Sequence, residues 1–331
     1  MKDVAANLGL SISTVSRALS GEPGISQATR DRVVAEAKVM QYVSAPAPSA
    51  LSIGKVAILL PRADGWYYST VLSGAAETLS SLEMETSLFC LPTVRDRFAF
   101  FERLTQAPPA DAYIAVSFPI DHRWQSRLRA IGRPVVAVGT EEPGIPSVTI
   151  DNRRTAAQAV RHLVRCGHHR IGLIRTVDSD GLAWSADIAR EEGYRTALDD
   201  GNVAYDPELT TTAPWGIEGG AHAMEQLLSV STPPTAVFCF SDEVAIGAMR
   251  TLRRTGLKIP EDISVIAVDG HPVGELVDLT TVAQPVREQG ARAAEMVRAM
   301  LDGQQVPDVI LPTKLIARHT TGPAPVTDPR P

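Results

Sequence analysis

RIGLI, residues 170–174, and AREEGYRTALDDG, residues 189–201, decide the architecture of this chain. The first is a short run that is apolar on both alternating faces, which is how a strand covered on both sides reads. The second has helical spacing and closes on Gly201, as helix C-termini do. The same strand-loop-helix plan starts at Val56, where VAILLP precedes TVLSGAAETLSSL. ETSLFCL, AYIAVSF, PVVAVG, AVFCFS and ISVIAVD read as further buried parallel strands, and RTAAQAVRHLVRCG and EVAIGAMRTLRRTG as helices. Such alternation builds a doubly wound α/β fold. Its repetition predicts two similar lobes with a crevice between them, and ligands in such sheets sit beyond the carboxyl ends of the strands.

The first 43 residues have a different texture and read as three short helices. KDVAANLG stops at Gly9, Ser11 stands where a side-chain oxygen caps the next helix, and SGEPG forms a turn before Ser26 caps QATRDRVVAEAKVMQY. That third helix is expected to bury Val33, Val34, Ala37 and Met40. In LSISTVSRALSG, residues 10–21, Val15, Ala18 and Leu19 share one helical face and Ile12, Ser13, Ser16 and Arg17 the other. A short capped helix preceded by helix and tight turn is the helix-turn-helix arrangement, whose second helix reads bases in the major groove. From spacing alone, an anonymous solvent face of a helical hairpin stays open beside it.

The 331 residues carry a net charge of -6, with 44% hydrophobic and 21% charged side chains, which describes a soluble globular chain of two or three units. Residues 1–55 hold Lys2, Arg17, Arg30, Arg32, Lys38 and Lys55 against Asp3, Glu22, Asp31 and Glu36, so this end carries +2 and the remainder -8. A small DNA-facing module on an acidic body fits that asymmetry. No apolar run is long enough to span a membrane, and no secretory leader precedes the first helix, so the expected compartment is the cytoplasm. Cys90, Cys166 and Cys239 lie far apart without a CxxC pair, against a zinc site or a disulfide framework, and Cys239 reads as a buried strand residue.

KDVAANLGLSISTVSRALSG…ISQATRDRV strongly resembles the N-terminal module of the lactose-repressor (LacI/GalR) family of bacterial transcription regulators. The resemblance continues through TIDNRRTAAQAVRHLVRCGHHRIGLI, REEGYRTAL, PTAVFCFSDEVAIGAMRTLRRTGLKIPEDISVIAVDGH and LTTVAQP, in the family's order and spacing. It implies a homodimer whose two heads read a roughly palindromic operator, and a periplasmic-binding-protein-like core whose lobes respond to a small effector, a carbohydrate in most members. The DNA-facing set is then Ile12, Ser13, Thr14, Ser16 and Arg17, with Thr29 at the start of the third helix. Arg17 is the residue suited to a bidentate guanine contact. In the family, residues matching VSAPAPSALS form a hinge helix only on DNA, and Leu51 stands where a Leu enters the minor groove.

The hinge departs from the family pattern. Ala45 and Ser49 stand where an Asn and an Arg are usual, and Pro46 and Pro48 are added, so a hinge helix begins at Pro46 at the earliest and is short. Weaker DNA binding or a different hinge geometry is expected. The Thr that usually caps the first helix ahead of Asp3 is also absent, as it would be if the true start codon lay upstream. The expected boundaries are a DNA-binding domain at 1–43, a hinge at 44–54, a core at 55–322, and a disordered tail at 323–331. Within the core the first lobe takes 55–152 and 286–315, the second 153–284 and 316–322.

In the crevice, the family motifs place Arg190, Ser241, Asp242 and Asp269 against the effector, with Trp215 as a stacking aromatic and Asp64, Trp66 and Tyr67 as wall of the first lobe. Each has a plainer reading. Asp242 could cap the helix that follows and Asp269 a turn, Trp215 could pack between lobes, and Arg190 could be a solvated helix charge. His162, His168 and His169 lack the HxxxH spacing of a metal site and suit a helix C-terminus instead. No metal or cofactor is expected. An enzyme is the first rival reading, but GxGxxG, GxxxxGK[ST] and GxSxG are absent, and Glu141 and Glu142 lie in a Pro/Gly-rich loop. A sugar-binding module without DNA function is the second, and it leaves residues 1–43 unexplained.

Overall fold

The computed structural model describes residues 2–19, 25–40, 54–104, 109–118, 127, 130, 132–141 and 143–326, and divides the chain into one unit at 1–53 and another at 54–331. The expected turn at 20–24, the hinge with Pro46 and Leu51, and Glu142 lie outside the described residues.

The first unit has helices α1 (Lys2–Leu8), α2 (Ile12–Leu19) and α3 (Gln27–Val39). Gly9, at φ 64°, ends α1: its N–H reaches Ala6 O at 3.3 Å and that of Leu10 reaches Ala5 O at 3.0 Å, which satisfies the last carbonyls of the helix. Ser11 Oγ accepts from Thr14 N at 3.0 Å and Ser26 Oγ from Thr29 N at 3.2 Å, so both expected caps are in place. Val4, Ala5, Val15, Ala18 and Val33 form the core, with Leu8, Leu10 and Ile25 packed against it. Val34 and Met40 are not buried as expected but 49% and 38% exposed. Val33 and Ala37 are one turn apart and already fill the inward stripe, and Val34 lies a hundred degrees round the helix from it.

The second unit alternates strands and helices. Its first lobe runs β1 (Lys55–Leu60), α4 (Trp66–Ser81), β2 (Glu85–Cys90), α5 (Val94–Leu104), β3 (Ala112–Val116), β4 (Val135–Val138) and β5 (Ser147–Ile150). The chain then crosses over to α6 (Asn152–Arg165), β6 (Ile171–Val177), α7 (Ser185–Asp200), β7 (Thr210–Pro214), α8 (Ile217–Leu228), β8 (Ala236–Cys239), α9 (Asp242–Arg254), β9 (Ser264–Asp269), the single turn α10 (Val273–Leu276) and β10 (Thr280–Ala283). It returns for α11 (Val286–Leu301) and β11 (Val309–Leu311) and crosses once more to β12 (Lys314–Ile316). The sheet orders are β2-β1-β3-β4-β5-β11 and β7-β6-β8-β9-β10-β12, the same plan twice. All neighbours are parallel except β12, which runs antiparallel to β10. No helix among the described residues is long and apolar enough to cross a membrane.

Three expectations change. ETSLFCL is not a fully covered strand: β2 is the outer edge, pairs with β1, and leaves Leu88 45% exposed. Lys314 and Leu315 sit on the second sheet, opposite Ala283 and Val282, because the last crossover falls just before them. The start of the expected tail is tied down, since Ala324 N donates to Cys166 O at 2.9 Å, while residues 327–331 lie outside the described residues.

Helices α4 and α11 touch backbone to backbone. A Cβ added at Gly290 would stand 2.0 Å from Val71 O, and one at Gly74 2.0 Å from Arg287 O. Gly290→Ala is therefore expected to lower unfolding free energy by at least about 2 kcal/mol in urea denaturation, since neither backbone can retreat without dislodging a sheet-packed helix.

Candidate functional site

The strands of both lobes end on a common cavity of about 50 Å³. From the first lobe come Tyr67 and Tyr68 on the first turn of α4, Ser117 after β3, Gly139 after β4 and Ile150 at the end of β5. From the second come Trp184, Asp187 and Arg190 at the start of α7, Trp215 after β7, Ser241 after β8 and Asp269 closing β9. Asn152 and Gln284 stand on two of the crossovers. This is the carboxyl-end crevice that the alternating sequence predicts. As the lobes stand it has room for only a few water molecules.

Arg190 is buried and aimed by neutral acceptors: Nε donates to Asn152 Oδ1 at 3.0 Å and Nη1 to Phe240 O. Asp187, one helical turn before it, accepts from the Thr176 hydroxyl. Asp269 accepts from Gln284 Nε2 at 2.7 Å. Its backbone holds φ 138°, a setting that costs a side-chain-bearing residue about 1–3 kcal/mol and is typical of residues held for a purpose. Burial pushes both carboxyls up to about 6, against the pull of the Arg190 charge. The hydrogen bonds continue from Asp269 through Gln284, whose Oε1 accepts from Gln289 Nε2 at 2.8 Å, to Gln289 Oε1, which accepts from Tyr67 at 3.0 Å. One polar chain thus links the first-lobe wall to the second-lobe carboxylate.

Further contacts bridge the lobes around the cavity. Trp184 Nε1 donates to Ser117 O at 3.1 Å, and the Thr140 and Ser185 hydroxyls lie 2.6 Å apart. Arg97, fully buried, pairs with Asp178 at 3.0 Å, and Val94 N donates to Asp180 Oδ2 at 2.8 Å. At the mouth the Arg62 guanidinium lies 4.7 Å above the Trp215 ring, and Trp66 packs on His271 with centroids 4.9 Å apart.

Of the crevice residues named from sequence, Tyr67, Arg190, Trp215, Ser241 and Asp269 line the cavity. Asp64 does not: its side chain is 75% exposed and held by Arg62. Trp66 faces His271 at the mouth. Asp242 is fully buried but points away from the cavity wall, its oxygens taken by His271 N at 2.7 Å and the Thr281 hydroxyl at 2.6 Å. Burial and the charge of Asp269 push its pKa up. Ser241, not Asp242, caps α9, accepting from Val244 N at 3.3 Å. Sequence reasoning missed Tyr68, Ser117, Asn152, Trp184, Asp187 and Gln284. Asp187 carried a usable signal, standing three residues before Arg190 on one helix face. His168 is no solvated helix-end cation either. It is fully buried, with Nδ1 3.0 Å from the Thr235 hydroxyl and Nε2 3.1 Å from Gly322 O, so it fastens the C-terminal segment to the second sheet.

On the first unit, Ile12, Ser13 and Arg17 are exposed along α2, and Thr14 and Ser16 are half-buried beside them. The Thr14 and Thr29 hydroxyls each lie 2.8 Å from the Ser11 and Ser26 hydroxyls that cap their helices, so they sit at helix N-termini, where phosphate contacts are made. Leu51 lies outside the described residues.

A helix-turn-helix unit followed by two like lobes closing on one polar, aromatic-walled cavity defines a ligand-responsive DNA-binding protein class. Residues 1–44 match the bacterial regulatory proteins of the lacI family, and residues 160–321 match the periplasmic binding protein-like domain. The chain is 31% identical over 315 residues to the HTH-type transcriptional repressor CytR of Escherichia coli (strain K12), covering 92% of this chain and 91% of that protein. It is 34% identical over 350 aligned residues to the HTH-type transcriptional regulator AglR of Rhizobium meliloti (strain 1021), covering 100% and 96%. Among solved structures it is similar to the transcriptional regulator CelR-cellobiose complex, with a TM-score of 0.72 and 27% identity over 96% of this chain and 98% of the other. It also shares the fold of the lac repressor dimer bound to operator and the anti-inducer ONPF, with a TM-score of 0.74 at 22% identity over 97% and 98% of the two chains. The chain belongs to the LacI family.

Proposed function

We propose that the protein is a sequence-specific transcription regulator of the repressor type, working in the cytoplasm as a homodimer on a roughly palindromic operator. A small carbohydrate bound between the lobes sets its operator affinity. The observation that carries this reading is that one chain joins a capped reading helix, with Ile12, Ser13 and Arg17 exposed, to a cavity whose wall comes from both lobes. The relatives named as transcriptional regulators, and the CelR-cellobiose complex with its sugar, support the same assignment.

The mechanism is a two-state switch. A cavity of this size admits a sugar ring only if its walls move, and because those walls come from both lobes a ligand there acts on the lobe arrangement. A ligand shifts an equilibrium only by its differential affinity for the two states. The lobe arrangement in turn sets the spacing of the two DNA-binding heads and the folding of the hinge, where Leu51 is the minor-groove wedge. Fluorescence anisotropy on the DNA upstream of the protein's own gene, with and without a sugar panel, tests this. Tight, salt-dependent binding that a sugar shifts is the expected result. Sugar binding without any specific duplex would leave a carbohydrate-binding module and overturn the regulator.

A further inference from the structure

The cavity wall carries three charged side chains, Asp187, Arg190 and Asp269, and every other lining residue is neutral. Both Asp187 and Asp269 are more than nine-tenths buried. Arg190 directs two N–H groups to the neutral oxygens of Asn152 and Phe240 rather than to either carboxylate. Asp187 keeps one neutral donor, the Thr176 hydroxyl, and Asp269 two, the Gln284 amide and the backbone N–H of Asp242, which leaves acceptor capacity on both facing a ligand. No third His, Cys, Asp or Glu joins them as a cation site among the described residues. With both carboxylates ionised, the wall holds one net negative charge out of water.

We propose that the cavity takes an uncharged carbohydrate and rejects its carboxylated and phosphorylated forms, and that Asp187 is the residue responsible for the rejection. This rests on the effector reading above and goes further by naming the ligand's charge. A neutral sugar offers hydroxyl protons to two carboxylates and hydroxyl oxygens to Arg190, and its C–H faces to the Tyr67, Tyr68, Trp184 and Trp215 rings. A uronate or a sugar phosphate would bring a second unit of negative charge into the same dry space, with a single guanidinium to share among three anions. Asp269 alone is balanced by Arg190. It is the added carboxylate of Asp187, on the same face of α7, that tips the wall negative. Burial holds Asp187 up to about 6, as expected of a carboxyl kept for a ligand rather than for an ion pair.

The test is thermal shift followed by calorimetry on the full chain. The probes are glucose, galactose, ribose, xylose, cellobiose and maltose, beside glucuronate, galacturonate and glucose 6-phosphate. Stabilisation by at least one neutral sugar and by none of the anions is expected. Asp187→Asn should narrow the neutral-to-anion affinity ratio by about tenfold or more, the worth of one removed charge at close range. The Asp187→Asn variant is also expected to melt several degrees higher than wild type at pH 7.5, with the gap closing towards pH 5. That control separates a specificity role from a merely structural one. Stabilisation by a uronate or sugar phosphate, or an unchanged ratio in Asp187→Asn, overturns the proposal. So does silence from every neutral sugar. If wild-type operator binding persists in that case, the regulator stands and only the effector class has failed.

Discussion

Arg17→Ala is expected to lower operator affinity by about thirtyfold to ten-thousandfold, with most of the loss on specific sequence. The side chain is exposed on α2, whose other face buries Val15 and Ala18 in the three-helix core, so its removal leaves the fold standing. A bidentate contact from arginine to guanine discriminates by about 1–3 kcal/mol, and a dimer loses one at each half-site. Affinity for random duplex should fall far less, because that binding draws on summed phosphate contacts. Anisotropy titrations on operator and scrambled duplex at several salt concentrations measure both. Equal losses on the two duplexes would make Arg17 a phosphate contact, and no loss would remove it from the interface.

Arg190→Ala is expected to abolish the effector response and to destabilise the second unit by about 3 kcal/mol at neutral pH. The variant strips the hydrogen bonds to Asn152 and Phe240 and leaves Asp187 and Asp269 buried without their cation. The pH dependence follows from the carboxyls. In the folded wild type both titrate at about 6, above the ordinary value of 3.8, so between those values the folded state holds more protons than the unfolded one. Their contribution to stability therefore falls as pH rises from about 4 to about 6 and is level above that. Glu243, pushed up to about 7 by burial and the Asp269 charge, adds a slope of the same sign, and Asp242 is displaced in the same direction. Without Arg190 the two cavity carboxyls move higher still, so the variant should lose most against wild type at pH 7.5 and little at pH 5. Denaturation at the two pH values checks this, and a deficit independent of pH would mean that the packing of the arginine mattered and its charge did not.

Several contacts hold the two lobes together around the cavity. Arg97 and Asp178 form a buried ion pair across the lobes, and the Arg62–Trp215 and Trp66–His271 contacts join the lobes as well. Of these, only the packing of Trp215 between the lobes was open to a sequence reading. The pairing of Arg97 with Asp178 has no sequence signal, because nothing local to either residue reveals a partner eighty-one positions away.

What the sequence determined by itself is whatever local geometry governs. Gly9 had to end α1 and Ser11 and Ser26 had to cap α2 and α3, because the groups they satisfy are their own neighbours along the chain. The buried parallel strands were legible from runs such as ISVIAVD, where covering helices leave no face for polar residues, and Arg190 and Asp269 from motifs that span only a few residues. The tertiary structure alone decided which side chains meet in the cavity. Its wall is assembled from the carboxyl ends of strands in two sheets and from two crossovers, so Asn152, Trp184, Asp187 and Gln284 become neighbours only once those segments are docked. The same docking turned Asp242 inward to His271 and Thr281 and left Asp64 in solvent beside Arg62. Periodicity assigns a residue to a face of its own element. Which other element covers that face is settled by packing between segments far apart in the chain, and the charge of the cavity follows from that packing.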